Sequence, residues 1–124
     1  PLKNLFPLLD ERGFMSWGTL AKGILTKRVD RDRKYDKSDC RSWAPWWKDS
    51  DAMAQVEFME KIFPLLDEAG HTGLELALGY NLSFGELSTV LCGARNSGQL
   101  QGLVKALESL PSKEFLETLP TYEN

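Results

Sequence analysis

Apolar positions along this chain fall into two rhythms, one of helical period and one of short unbroken runs. Leu2, Leu5, Phe6 and Leu9 recur at helical spacing over residues 2–12, with Gly13 as a stop. Pro7 sits inside that pattern, so the helix is kinked or starts near it. Residues 13–20 (GFMSWGTL) are short, apolar, aromatic and bounded by glycines, which predicts a buried strand ending in a turn. Residues 21–49 carry no sustained period. Ala52, Val56, Met59, Phe63 and Leu66 then draw one apolar stripe, the clearest helix of the chain. Pro64 falls inside it and removes a backbone hydrogen bond to Glu60, which predicts a kink or break. Thr72 and Glu75 have capping-box spacing ahead of Leu74, Ala77, Leu78 and Leu82, so 73–82 reads as a helix. Residues 87–93 (LSTVLCG) read as a second buried strand. Asn96 with Gln99 starts another helix, whose stripe of Leu100, Leu103, Val104 and Leu107 runs to about Leu110. A short helix over 112–119 follows, and the tail after Pro120 is expected to be loose.

Two short apolar strands separated by helices predict an α/β fold with a parallel sheet. Two parallel strands alone make a poor core, because such pairs need both faces covered and neighbours on either side. The near-identical FPLLDERG at 6–13 and FPLLDEAG at 63–70 are too few for a solenoid and read as two helices with the same packing role before a glycine. The 124 residues fit one domain, and 42% hydrophobic with 27% charged residues is a globular composition. A complete (β/α)8 barrel needs about 250 residues, so this chain cannot be one by itself. No apolar run approaches the roughly 20 residues of a membrane span. A start at Pro1, without initiator Met or signal-like stretch, reads as a processed or excised piece.

Charge is placed unevenly. Residues 27–41 (KRVDRDRKYDKSDCR) hold seven Lys/Arg against four Asp, a local +3 within a formal net charge of −3, so the other residues sum to −6. An acidic body with one basic loop argues against a general nucleic-acid binder and fits a local anion such as a phosphate, or a solvated loop. Trp43, Trp46 and Trp47 beside it are expected to pack the loop against helices. Cys40 and Cys92 lack metal spacing and read as reduced thiols, which favours a cytoplasmic protein. His71, the only histidine, reads as a turn residue rather than a base or ligand. No Ser/His/Asp order, P-loop or G-x-G-x-x-G is present.

Two glycine-bearing strand ends carry more information: Gly18 to Gly23 after the first strand, and Gly93 to Gln99 after the second, opening a helix. Glycine there lets backbone N–H groups approach a phosphate, and a helix N-terminus adds about half a positive charge. Arg95 beside that terminus can fork onto phosphate oxygens. With Lys22 and Arg28, these loops point to an anionic cofactor.

GFMSWGTLAKGILTKRVD resembles the strand and loop of aldo-keto reductases, usually (aromatic)-S-P-L-A-x-G-L-L-T-G-K-Y. STVLCGARNSGQLQGLVKAL looks like their final barrel strand and helix, S-T-V-I-P-G-A-R-x-x-x-Q-L-x-x-N-L-x-A-L. DCRSWAPWW and GHTGLELALGYNLSF look like the intervening loop and helix. The resemblance covers residues 2 to about 110, with 111–124 a terminal helix and tail. It implies a partial (β/α)8 barrel, about the last third, helix-rich, with 1–124 as a single C-terminal segment. It further implies NADP(H) binding. Gly18, Thr19, Leu20, Lys22 and Gly23 fall on the loop along the pyrophosphate and ribose, and Arg28 on a pyrophosphate-reaching cation. Arg41 falls in the loop folding over the cofactor. Gly93, Ala94, Arg95 and Gln99 fall on the segment gripping the 2′-phosphate. Gly18-Thr19 replaces the family's Ser-Pro, and the Glu and Asn that hold adenine fall on Gly102 and Leu103, which cannot make those bonds. The family's Asp, Tyr, Lys and His tetrad lies upstream of the matched region, so no catalytic residue is placed and the chain alone is expected to be inactive. The partner implied is the N-terminal remainder of the barrel or a complementary chain, with a small carbonyl substrate only in the complete enzyme. An exposed two-strand edge also invites self-association. The other expectation is a non-catalytic remnant serving as an interaction module.

Overall fold

The stripe of residues 52–66 is where the fold is anchored. In the computed structural model, which describes residues 6–8, 12–48, 51–85 and 87–122, it forms helix α2 (Ala52–Ala69). Ala52, Val56, Met59, Phe63 and Leu66 are all buried, joined by Ile62. Around them gather Ile24, Val29 and Trp47, making the larger of two hydrophobic clusters. Pro64 does not break α2, which runs unbroken through it. The apolar face holds the helix across the one missing hydrogen bond. The helix stops at Gly70 in left-handed conformation, φ +75°. The Gly70 and His71 N–H groups donate back to the carbonyls of Asp67 and Leu66, at 3.2 and 2.8 Å.

The expected capping box is formed. Glu75 N–H donates to Thr72 Oγ1 (3.2 Å) and Thr72 N–H to Glu75 Oε2 (2.7 Å), starting α3 (Gly73–Leu82). Gly73 serves a second purpose: a Cβ there would stand 1.8 Å from the Leu25 carbonyl oxygen. Only a glycine lets α3 abut the 3-10 segment Ala21–Thr26 so closely.

The strands are shorter than the sequence suggests. β1 is Phe14–Ser16 and β2 is Leu87–Val90, paired parallel as expected, with Phe14 opposite Leu87 and Ser16 opposite Val90. The flanking residues 17–20 and 91–93 leave the ladder to form loops. α4 (Ser97–Ala106) continues as a 3-10 turn over Leu107–Ser109, and α5 (Lys113–Thr118) starts at a Ser112 cap. The α4 stripe divides. Leu103 and Ala106 are buried with Leu78 in the second cluster, whereas Leu100, Val104 and Leu107 face outward. Met15, Trp17 and Leu91 at the sheet are likewise exposed.

Several expectations need correction. Of the first predicted helix only Phe6–Leu8, a 3-10 turn, and Arg12, outside any helix, lie within the described residues; 2–5 and 9–11 lie outside them. Of the tryptophans only Trp47 is buried, while Trp43 and Trp46 remain exposed, because the short helix α1 (Pro45–Lys48) turns one face inward. Within the described part of the tail Tyr122 is held, its hydroxyl donating to Asp51 and its ring meeting Phe58 edge-on at 5.3 Å.

Gly73→Ala is expected to destabilise the chain by about 2–3 kcal/mol, because backbone rather than a flexible side chain blocks the new methyl. Thr72→Ala, which removes only a cap, should cost about 1 kcal/mol. Urea unfolding midpoints measure both, and a Gly73→Ala shift no larger than that of Thr72→Ala would contradict the close backbone approach.

Candidate functional site

Parallel pairing puts the C-terminal ends of β1 and β2 side by side, so the loops that leave them meet. Thr19 stitches them: it is 7% exposed, and its hydroxyl donates to the Leu91 carbonyl at 2.9 Å, across 72 positions of sequence. A groove of about 1280 Å³ opens above, with Leu20, Leu74, Cys92, Leu103 and Ala106 of the second cluster among its lining. That exceeds the roughly 300–1,000 Å³ of small-ligand pockets and leaves room for an extended molecule.

Ten of the eleven residues singled out from sequence line this groove: Gly18, Thr19, Leu20, Lys22, Gly23, Arg28, Arg41, Gly93, Arg95 and Gln99. Ala94 does not. Its lining charges are Lys22, Arg28, Arg33, Arg41, Arg95 and Lys105 against Asp39 and Glu75, net +4 in a chain of net −3. The groove is thus a cationic concavity in an acidic protein, which concentrates anions.

The lining polar groups differ in what they have left to offer. Thr19 has spent its hydroxyl on Leu91. Gln99 accepts from the Arg95 N–H (2.7 Å), while its own N–H donates to the Asn96 side chain (2.9 Å). Those two bonds mark the start of α4, a ten-residue helix capped by Asn96 and aimed from the groove. Lys22 Nζ donates to the Trp46 carbonyl (3.4 Å) and sits 4.6 Å over its ring. Arg95, by contrast, is 76% exposed on its side chain, and its nearest carboxylate oxygen, on Asp39, is 3.9 Å away.

Arg41 is the most committed cation. Its Nε and Nη2 fork onto Asp39 at 2.9 and 2.7 Å, and Nη1 donates to the Lys22 carbonyl at 2.9 Å. The guanidinium lies 4.3 Å from the Tyr35 ring centre. The Lys22 carbonyl it holds belongs to a run of three left-handed residues, Ala21 (φ +45°), Lys22 (+59°) and Gly23 (+97°). Two of these are not glycine, so the turn is strained and needs outside support. Gly23 fits because a Cβ there would press Arg41 Nη1 at 3.2 Å. The Arg41 side-chain and backbone hydrogen bonds hold the Asp39 carboxyl well below the usual carboxylate range, and Asp39 in turn raises the Arg41 guanidinium.

Sequence reasoning missed Asp39, Arg33 and Lys105. Asp39 alone had a local signal, because its side chain caps the turn Cys40–Ser42 by accepting from the Arg41 N–H. The basic loop also divides its charge. Lys27 pairs with Asp67 (2.7 Å), and Arg31 with Glu57 and Glu60 (3.0 Å each), on the exposed face of α2 and away from the groove. Among the described residues no His/Cys/Asp/Glu cluster could hold a metal ion, and Cys40 and Cys92 are free. His71 Nδ1 lies 3.4 Å from Glu75 Oε2, beside the Phe115 ring, at the start of α3. No helix among the described residues is long and apolar enough to cross a membrane.

A probable voltage-gated potassium channel subunit beta from Arabidopsis thaliana is 27% identical over 104 residues, 80% of this chain and 31% of that protein. A glycerol dehydrogenase from Gluconobacter oxydans superposes with a TM-score of 0.72 at 23% identity, over 94% of this chain and 36% of that one, and so shares its fold. The chain therefore spans about a third of the length of either relative. The profile of the Aldo/keto reductase family matches residues 3–121, and this chain belongs to that family.

Proposed function

We propose that this chain is about the last third of a (β/α)8 barrel of the aldo-keto reductase type and holds the phosphate-bearing half of NADP(H). The observation that carries the reading is the meeting of the two glycine-bearing loops in one cationic groove at the C-terminal ends of a parallel strand pair. Such strand ends are where barrels bind phosphates, commonly with a helix N-terminus. The donor set fits the group. Arg95 and Arg28 supply cations, Gly18, Gly23 and Gly93 allow backbone approach, and Leu20, Leu74 and Leu103 offer apolar contact for a nucleoside. Arg95, exposed beside the start of α4, is the residue for the 2′-phosphate. Thr19, Arg41 and Gln99 shape the site through their bonds to the protein itself. When bound, the nicotinamide supplies a hydride to a carbonyl carbon. This chain's share is to bind and orient the dinucleotide from its phosphate end; the proton donor lies in the remainder of the barrel or a complementary chain. That partner would also cover Met15, Trp17 and Leu91 at the sheet, Leu100 and Val104 on α4 and Leu107 just beyond it.

A second reading has its own observation. Gly102 lines the groove without a side chain and Leu103 is buried in the core, where the family has its adenine ligands. A remnant that has lost the cofactor and kept the fold as an interaction module fits those two positions.

Titration of NADP⁺ against the chain separates the readings. Binding weakened about tenfold by Arg95→Ala, the worth of roughly 1.4 kcal/mol, is expected. Lys27→Ala, outside the groove, should leave it unchanged, and affinity should fall with added salt. No binding at all would favour the interaction module. NADPH-dependent aldehyde reduction by the 124-residue chain alone would contradict the assignment of proton transfer to residues outside it.

A further inference from the structure

The lining of the groove contains two groups whose charge is wrong for the ligand, Asp39 and Glu75, and Glu75 is spent on the Thr72 capping box. Asp39 places a carboxylate among the cations of a site argued above to take phosphates. By Coulomb's law alone, that carboxylate repels the ligand, and its removal should tighten binding. The hydrogen bonds say otherwise. Both Asp39 oxygens are engaged by Arg41, Oδ1 also by the Arg41 N–H, and the two side chains are only 15% and 12% exposed. Three of the five guanidinium N–H donors of Arg41 are thereby fixed, the third on the Lys22 carbonyl. A fork–fork pair sets both distance and plane, which a single charge contact does not.

We propose that Asp39 is a positioning residue: it holds Arg41 as a lock on the Lys22 carbonyl, and the lock maintains the left-handed run Ala21–Gly23 as the groove wall that the ligand meets. The proposal rests on the reading of the groove as a dinucleotide site, but the lock itself can be tested without a ligand. Freed from Asp39, Arg41 loses two of its three fixed bonds, and the turn loses the support that its two non-glycine left-handed residues need. The ligand would then have to order the wall on arrival, which weakens binding.

Two measurements on the full chain decide this: the rate of trypsin cleavage after Lys22, followed by mass spectrometry, and the affinity for NADP⁺ and for inorganic pyrophosphate. Asp39→Asn is expected to speed cleavage after Lys22 several-fold and to weaken NADP⁺ binding about tenfold or more, the size of one lost charge-assisted hydrogen bond. Arg41→Lys, which keeps the charge and loses the fork, should do the same. The double variant should be no worse than either single one, and Asp39→Glu should recover part of the loss. Unchanged cleavage in both single variants would overturn the lock. Tighter binding in Asp39→Asn would overturn it too, because the carboxylate would then act only as a competitor for Arg41. If NADP⁺ fails to bind the unsubstituted chain, the dinucleotide reading falls, and cleavage after Lys22 still decides the lock.

Discussion

A parallel ladder of three and four residues governs this molecule. Antiparallel strands would send their two loops to opposite ends. Parallel strands deliver both to the same end, and only then can Gly18–Gly23 and Gly93–Gln99 enclose one space. So short a ladder is weak by itself, and the fold reinforces it beyond the strands. The Leu91 N–H donates to the Ser16 carbonyl, and Thr19 reaches back to the Leu91 carbonyl, each at 2.9 Å. α3 then closes over the loops, held against Leu25 at Gly73.

The site follows from how polar groups are divided. Side chains that look alike in sequence do different work once placed. Thr19, Gln99 and Arg41 spend their hydrogen bonds on backbone carbonyls, an N–H and a neighbouring carboxylate. Arg95 spends almost none. The basic loop shows the same division, with Lys27 and Arg31 on α2 and Arg28, Arg33 and Arg41 in the groove. Exposed pairs such as Lys27–Asp67 add little stability. Their effect is to spend charge away from the groove.

Much of the fold was legible because its signals are local. The 52–66 stripe, the Thr72 and Asn96 caps and the Gly70 stop each lie within a few residues, and each is found where the spacing puts it. The parallel pairing was legible from strand and helix order. The two glycine-bearing loops, with Lys22, Arg28 and Arg95, were legible from strand ends and charge, whereas Arg41 and the role of each residue came from a family resemblance. What escaped was long-range. Pro64 could not reveal that packing would carry the helix through it. The lock joins Arg41 to a carbonyl 19 positions away, and nothing near Lys22 signals a left-handed turn at a non-glycine residue. The split of the α4 stripe depends on which neighbours are present, which periodicity does not state.

The most direct measurement is residue-resolved: backbone amide shifts followed by NMR as NADP⁺ is added to the chain. The account predicts changes concentrated at Gly18–Gly23 and Gly93–Gln99, the two walls that the parallel pair brings together. Shifts confined to the outer face of α2 around Lys27 and Arg31, or none at all, would contradict it.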